Sequence, residues 1–315
     1  FWIFTEVMFF TWLLLAIPNK EFRPKINLVS LALGFFIFVT ILTSFLGVNV
    51  ERSLWSTFER MAGTVNWIHL ALFFLVLTST FKKLTDWRKL ITVSFIAASI
   101  VALIFLLEKL GISVLPFEAR NGATIGNSSF MAGYLLFNVF FGLWLFIKEK
   151  GEWGKGIYGV GLGLIILSIL TAYAHGAMVS MLGGFCIILI AWLFFGVKHR
   201  YAKTAAVACF SMGVLVAGII AYGTFTQDQA IVSKLPYFFS NEGTIGARKV
   251  VWEMALKGFR ERPILGWGPE NFNVVFEKYY NPCMVLSECG GEIWFDRTHN
   301  TFLDHLIHSG ILGLI

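Results

Sequence analysis

The sequence predicts an all-α protein that crosses a membrane many times. Three observations carry this. Hydrophobic residues make up 57% of the 315 and charged residues only 14%, whereas a soluble domain is roughly a quarter charged. Mean hydropathy is +0.73. Charge-free stretches about as long as a membrane-crossing helix, roughly 20 residues, recur along the chain between short polar connections. The 33 Phe and 11 Trp suit lipid-facing helices and interfacial aromatic belts.

Taken in order, the apolar stretches are 1–17, 26–50, 61–81, 90–107, 121–147, 156–197, 204–227 and the segment from Asn300 onward. The stretch 156–197 is too long for one span. It divides at Tyr173-Ala174-His175-Gly176, which reads as a tight turn between two helices. The expectation is therefore about nine transmembrane helices in a single membrane domain covering 1–315. The chain begins at Phe1 rather than Met and stops soon after His299. It is expected to be the middle of a longer protein, with its first and last spans cut short.

Charge then sets the orientation. Connection 18–25 holds Lys20, Arg23 and Lys25 against Glu21, a net +2. Connection 82–89 holds Lys82, Lys83, Arg88 and Lys89 against Asp86, a net +3. Connection 148–155 is net +1, and 198–203 is net +3 with no acid. The alternate connections around 51–60 and 118–120 are balanced. Basic loops stay in the cytoplasm, so the whole-chain charge of +6 is a topology signal and not a nucleic-acid surface. The long segment 226–298, the His175 turn and the loops near Arg60 and Arg120 are then expected outside the cytoplasm. Cys283 and Cys289 lie close together in that long loop, where an oxidising compartment would permit a disulfide. Cys186 and Cys209 sit in apolar runs and read as inert packing residues.

Within the loop, 247–259 reads as an amphipathic helix with Val251, Trp252, Ala255, Leu256 and Phe259 on one face. Gly243 and Gly246 place Arg248 near its start, where outward-pointing N–H groups would also favour an anion. An interfacial helix meeting lipid headgroups is the plainer reading of that pattern. Pro263, Gly266, Trp267, Gly268 and Pro269 make a shaped turn. His299-Asn300 then precedes an apolar helix. On helical spacing His299 shares a face with Phe302, Leu306, Gly310 and Gly313, which makes it a candidate proton acceptor. An ordinary helix-start histidine is the commoner occurrence. Upstream, Asn127 or Ser128 is a fitting N-cap for the helix that follows, with Arg120 close by in sequence.

Taken together and in this order, the motifs resemble the O-antigen ligase family, which includes O-antigen polymerases and bacterial protein O-oligosaccharyltransferases. His299-Asn300, nine residues, Gly310, two residues, Gly313 matches the family's His-Asn-x9-Gly-x-x-Gly signature. Arg248 with Trp252, then Pro263, Gly266 and Gly268, resembles its Arg-x-x-x-Trp…Pro-x-x-Gly-x-Gly segment. Gly126-Asn127…Ala132-Gly133-Tyr134-Leu135 resembles its Gly-Asn-Pro-Asn helix start, with serines in place of Pro-Asn. One departure stands out. The family usually carries an arginine at the tight turn, and this chain has Ala174-His175-Gly176. A histidine lacks both the permanent charge and the bidentate geometry of arginine.

The resemblance implies a GT-C-like membrane fold. It also implies an inverting transferase that moves a glycan from a polyprenyl-diphosphate carrier to an acceptor that is a lipid A core, a glycan chain or a protein. It implies His299 as general base in a catalytic loop 226–298, and a donor diphosphate held by Arg248, His175 and Arg120. Asn300, Trp252, Gly266, Gly268, Asn127, Gly310 and Gly313 would support them. Neither cofactor nor metal is implied; the partners are the glycan donor, its acceptor and the bilayer. The competing readings are a transporter or flippase of lipid-linked glycans, which would more often carry charges inside its spans, and an inactive scaffold member.

Overall fold

A computed structural model describes residues 1–112, 122–196, 204, 210–211, 242–286, 289 and 291–314. Among these residues every regular element is helical. The chain divides into two compact units, one of Phe1–Lys82 with Tyr222–Ile315 and one of Lys83–Ala221.

Among its described residues the second unit holds a bundle of four long apolar helices: α5 (Leu84–Lys109), α6 (Ser128–Lys148), α7 (Glu152–Thr171) and α8 (His175–Ala191). Each forms because an uninterrupted apolar run has nowhere else to satisfy its backbone polar groups within a bilayer. Phe95, Phe105, Met131, Leu135, Ile165 and Ile169 are sealed in its core. Small residues let the helices approach: a Cβ on Gly142 or Gly161 would collide with the ring of Phe95. The predicted break in the 156–197 stretch falls where it was expected. Helix α7 ends at Thr171, Tyr173 takes φ 54°, and α8 starts at His175. Cys186 is a free thiol, exposed on α8 rather than packed inside the bundle.

In the first unit, α1 (Trp2–Ala16) packs on α4 (Thr64–Thr80), and α2 (Leu28–Leu46) packs on α3 (Val50–Trp55) and α4. Asn27 caps α2 through a reciprocal pair with Ser30. The unit also holds α9 (Glu242–Glu261), α10 (Phe272–Lys278) and α11 (Thr301–Ser309). These three close around a second core of Val251, Met254, Phe272, Val275, Phe276, Met284 and Ile307.

Among the described residues, five helices are long and apolar enough to cross a membrane: Leu28–Leu46, Leu84–Lys109, Ser128–Lys148, Glu152–Thr171 and His175–Gly196. Trp2–Ala16 and Thr64–Thr80 are shorter apolar helices. The expected span 204–227 lies outside the described residues apart from three positions. The expected span from Asn300 onward opens as α11 and continues from Gly310 as a 3-10 turn. Helix α11 stops at Ser309 after nine residues, because Gly310 turns the chain with φ 62°.

Candidate functional site

The first unit gathers several of the residues singled out in the sequence around one turn. Asn300 begins α11 as its N-cap. Its side chain accepts hydrogen bonds from the N–H groups of Phe302, at 3.1 Å, and Leu303, at 3.4 Å. Thr298, fully buried, braces the turn from the other side. Its N–H donates to Asp304 Oδ1 at 2.9 Å, and its hydroxyl lies 2.8 Å from the same oxygen. His299 is pinched between these two anchored residues. It takes φ 52°, the left-handed region a non-glycine residue seldom enters. It is therefore outside the helix and does not share a helical face with Gly310 and Gly313. The edge-on ring of Phe295 lies 5.4 Å from the imidazole, centroid to centroid.

The helix carrying Arg248 is locked to that turn. The Trp252 indole N–H donates to the carbonyl of Thr298 at 2.9 Å, the residue immediately before His299. Helix α9 begins at Glu242, earlier than its sequence pattern suggested. Arg248 thus lies in the second turn and contributes a side chain, not helix-terminal N–H groups. The buried stripe also differs in detail. Ala247, Val251, Met254 and Ala255 are sealed, while Leu256 is 41% exposed. The true stripe follows i, i+4, i+7, i+8 from Ala247, and Leu256 falls one position beyond it. The proximity of Arg248 has an electrostatic signature. Partial burial pushes the His299 pKa below its ordinary value of 6.5, and the positive charge of Arg248 lowers it further. Asp296 opposes the shift.

Two ion pairs frame the turn, and neither was legible in the sequence. Arg60 holds Asp296 in a two-point contact, Nε to Oδ2 at 2.6 Å and a terminal nitrogen to Oδ1 at 3.0 Å. Burial alone would raise the Asp296 pKa, but the hydrogen bond and charge of Arg60 outweigh it and hold the carboxyl low. Arg60 is thus committed to a carboxylate here. Arg297 pairs with Glu270, which is 7% exposed and also accepts from the Ser56 hydroxyl at 2.8 Å. The partners are separated by 236 and 27 residues, so no local pattern announces them. Charged residues flanking His299 were the only available hint.

The glycine motifs meet each other. Trp267 N–H donates to Ile307 O at 2.7 Å, Gly268 N–H to His308 O at 3.0 Å, and Ile311 N–H to Pro263 O at 2.9 Å. A Cβ on Gly266 would sit 2.4 Å from Ile307 O, and one on Gly310 would sit 2.3 Å from Ile264 O. Pro263–Gly268 is thus a backbone clasp on the end of α11. Gly313 continues in the short 3-10 turn after Gly310. His308, on the same helix end, has a sealed ring Nε2 with no hydrogen-bond partner among the described residues. Its pKa is lowered to about 4 by burial.

The remaining predicted residues belong elsewhere. His175 is exposed at the first position of α8. Asn127 caps α6, accepting from Ser129 N–H at 2.8 Å and Phe130 N–H at 3.3 Å. Both are in the second unit. Arg120 lies outside the described residues. Cys283 and Cys289 form a disulfide, with Cα atoms 5.7 Å apart. Among the described residues, no three His, Cys, Asp or Glu side chains are grouped as metal ligands would be.

Residues 160–315 match the family model described as O-Antigen ligase. Over that segment the chain belongs to the O-antigen ligase family. No curated protein and no solved structure matches the chain. The O-antigen ligase segment contains His175, Arg248, the Pro263–Gly268 clasp, His299 and Gly313; Arg60, Arg120 and Asn127 precede it. Family and apolar helices together make this a multi-pass membrane protein of O-antigen ligase-type, glycosyltransferase-like activity.

Proposed function

We propose that this chain is an inverting glycosyltransferase acting on the extracytoplasmic face of a bacterial inner membrane, with a polyprenyl-diphosphate-linked glycan as donor. The observation that carries the reading is the Trp252–Thr298 hydrogen bond. It ties the helix bearing Arg248 to the turn bearing His299, so a cation and a proton acceptor serve one locus.

The chemistry asks for both. An acceptor hydroxyl oxygen attacks the anomeric carbon from the side opposite the diphosphate. The new C–O bond forms as the old one breaks, and the electron pair departs on the polyprenyl diphosphate. His299 takes the hydroxyl proton, and Arg248 stabilises the leaving diphosphate through charge-assisted hydrogen bonds. A depressed imidazole pKa keeps His299 neutral near pH 7, the state a general base needs. His175 takes the place of the family's turn arginine toward the donor, alongside Arg120. The step as written requires no metal ion. The Cys283–Cys289 disulfide supports an oxidising, extracytoplasmic setting for the loop. The acceptor is a lipid A core, a growing glycan or a protein side chain.

His299→Ala is expected to lower transfer by ~10²–10⁴-fold, the usual contribution of a general base, while insertion and yield stay normal. His299→Asn should lose as much, although asparagine accepts a left-handed backbone well. Arg248→Ala should fall comparably. Full transfer by a well-inserted His299→Asn protein overturns the proposed base. His175→Arg should preserve or raise transfer, and a large loss there removes His175 from the donor site.

A further inference from the structure

Beyond the proposed reaction centre lies an open groove of about 530 Å³ lined by Phe276, Glu277, Tyr280, Val285, Ile293 and Trp294. That is the size range of ligand clefts, roughly 300–1,000 Å³. Its lining is unusual for a surface that should face water. Trp294 is 55% exposed, Ile293 62% and Tyr280 37%. The Cys283–Cys289 disulfide staples the wall that carries Val285. Phe276 forms the floor, almost fully buried, with its ring 6.4 Å from Phe295. The ring of Phe295 also meets His299, at 5.4 Å. The groove therefore begins one aromatic ring away from the proposed base.

Two occupants suit an open aromatic groove on a membrane protein, a lipid surface and a carbohydrate. Charge separates them. Among the described residues that line it none is cationic, and the one carboxylate is Glu277. Glu292, next to Ile293, is exposed as well. The nearby Lys278 is engaged with Glu261 at 2.5 Å. Surfaces that dock on anionic headgroups are rich in Lys and Arg, and this one is acidic. A carboxylate is an acceptor only, which suits the many hydroxyl donors of a sugar. Flat aromatic faces suit the apolar C–H face of a pyranose ring, whose weakly positive hydrogens meet the negative π face.

We infer that this groove is a glycan subsite that holds neutral sugar residues adjacent to the transfer centre. The inference rests on the proposed glycosyltransferase reading and names where the sugars lie. Trp294 and Tyr280 are the stacking platforms, and Glu277 accepts from sugar hydroxyls. The groove supplies affinity and not chemistry, so its loss appears in KM with kcat retained.

The test uses the full chain in nanodiscs. The probe is the water-soluble oligosaccharide released by mild acid from the lipid-linked glycan of cells that make this protein. Saturation-transfer NMR and calorimetry read binding. Trp294→Ala and Tyr280→Ala should each weaken binding about tenfold, the scale of one lost aromatic contact; Trp294→Phe should recover much of it. The same variants should raise KM by a similar factor. His299→Asn should bind the oligosaccharide like the parent while failing to transfer. Retained transfer by His299→Asn defeats the proposed reaction but leaves the subsite standing. Unchanged binding and KM in Trp294→Ala defeat the subsite and leave the reaction standing. Quenching of Trp294 fluorescence by brominated lipid chains, judged against Trp294→Phe, would show the groove facing lipid and overturn the assignment to sugar.

Discussion

At the scale of single residues, His299 and His308 are two histidines on one short segment with opposite fates. His299 keeps solvent contact and takes charge effects from both signs. Arg248 lowers its pKa and Asp296 raises it. Replacing Asp296 by Asn removes a group that favours the imidazolium, so the pKa should fall further. The acidic limb of the pH profile for transfer should then move to lower pH; a shift upward contradicts this placement of charge. His308 has a sealed ring nitrogen and a pKa lowered to about 4. Glu270 and Asp304 favour its charged form, while Arg297 and His305 oppose it. A group with a depressed folded pKa contributes full stability above its unfolded value of 6.5. That stability is lost as pH falls toward 4. The melting temperature in nanodiscs should therefore drop between those pH values, and His308→Asn should flatten the drop. A parent melting curve independent of pH across that window would place the His308 nitrogen in contact with water.

At the scale of elements, the informative feature is how α11 ends. Gly310 takes φ 62° and approaches the backbone of Ile264, while Gly266 takes φ 66° and approaches Ile307. Any side chain at either position meets main chain that cannot step aside. Gly310→Ala and Gly266→Ala are each expected to cost upwards of 1–3 kcal/mol from backbone strain alone. They should show as lost folded yield, not as a specific loss of catalysis. Normal yield and melting in Gly310→Ala would sink the clasp. The Cys283–Cys289 loop is short, so its covalent closure contributes roughly 2 kcal/mol. Cys283→Ser should lower stability by about that amount. The spacing of Gly310 and Gly313 was legible in the sequence, but their helical placement was not. Helical spacing assumes a continuous helix, and the contact with Pro263–Gly268 ends this one at Ser309. The amphipathic stripe on α9 was legible to within one position, because burial imposes a period that the residues must follow.

At the scale of the whole molecule, the alternation of basic and balanced connections predicts sidedness. With Cys186 and Cys209 removed and the disulfide retained, Thr85→Cys should resist a membrane-impermeant maleimide added from outside. Thr57→Cys should react. The reverse pattern would place the His299 turn in the cytoplasm and defeat the extracytoplasmic reading. The all-helical class and the membrane setting were determined by the sequence itself, through mean composition, run length and charge alternation. These properties are summed along the chain, so they survive without knowledge of contacts. The motif spacing around His299 was also legible, because it is local. Only the tertiary structure decided what surrounds that histidine. Arg60 with Asp296, Arg297 with Glu270, and the meeting of Gly266 with Gly310 join residues far apart in the chain. Such pairings depend on which helix ends converge, and that is set by packing the apolar faces together, not by any residue's neighbours in sequence.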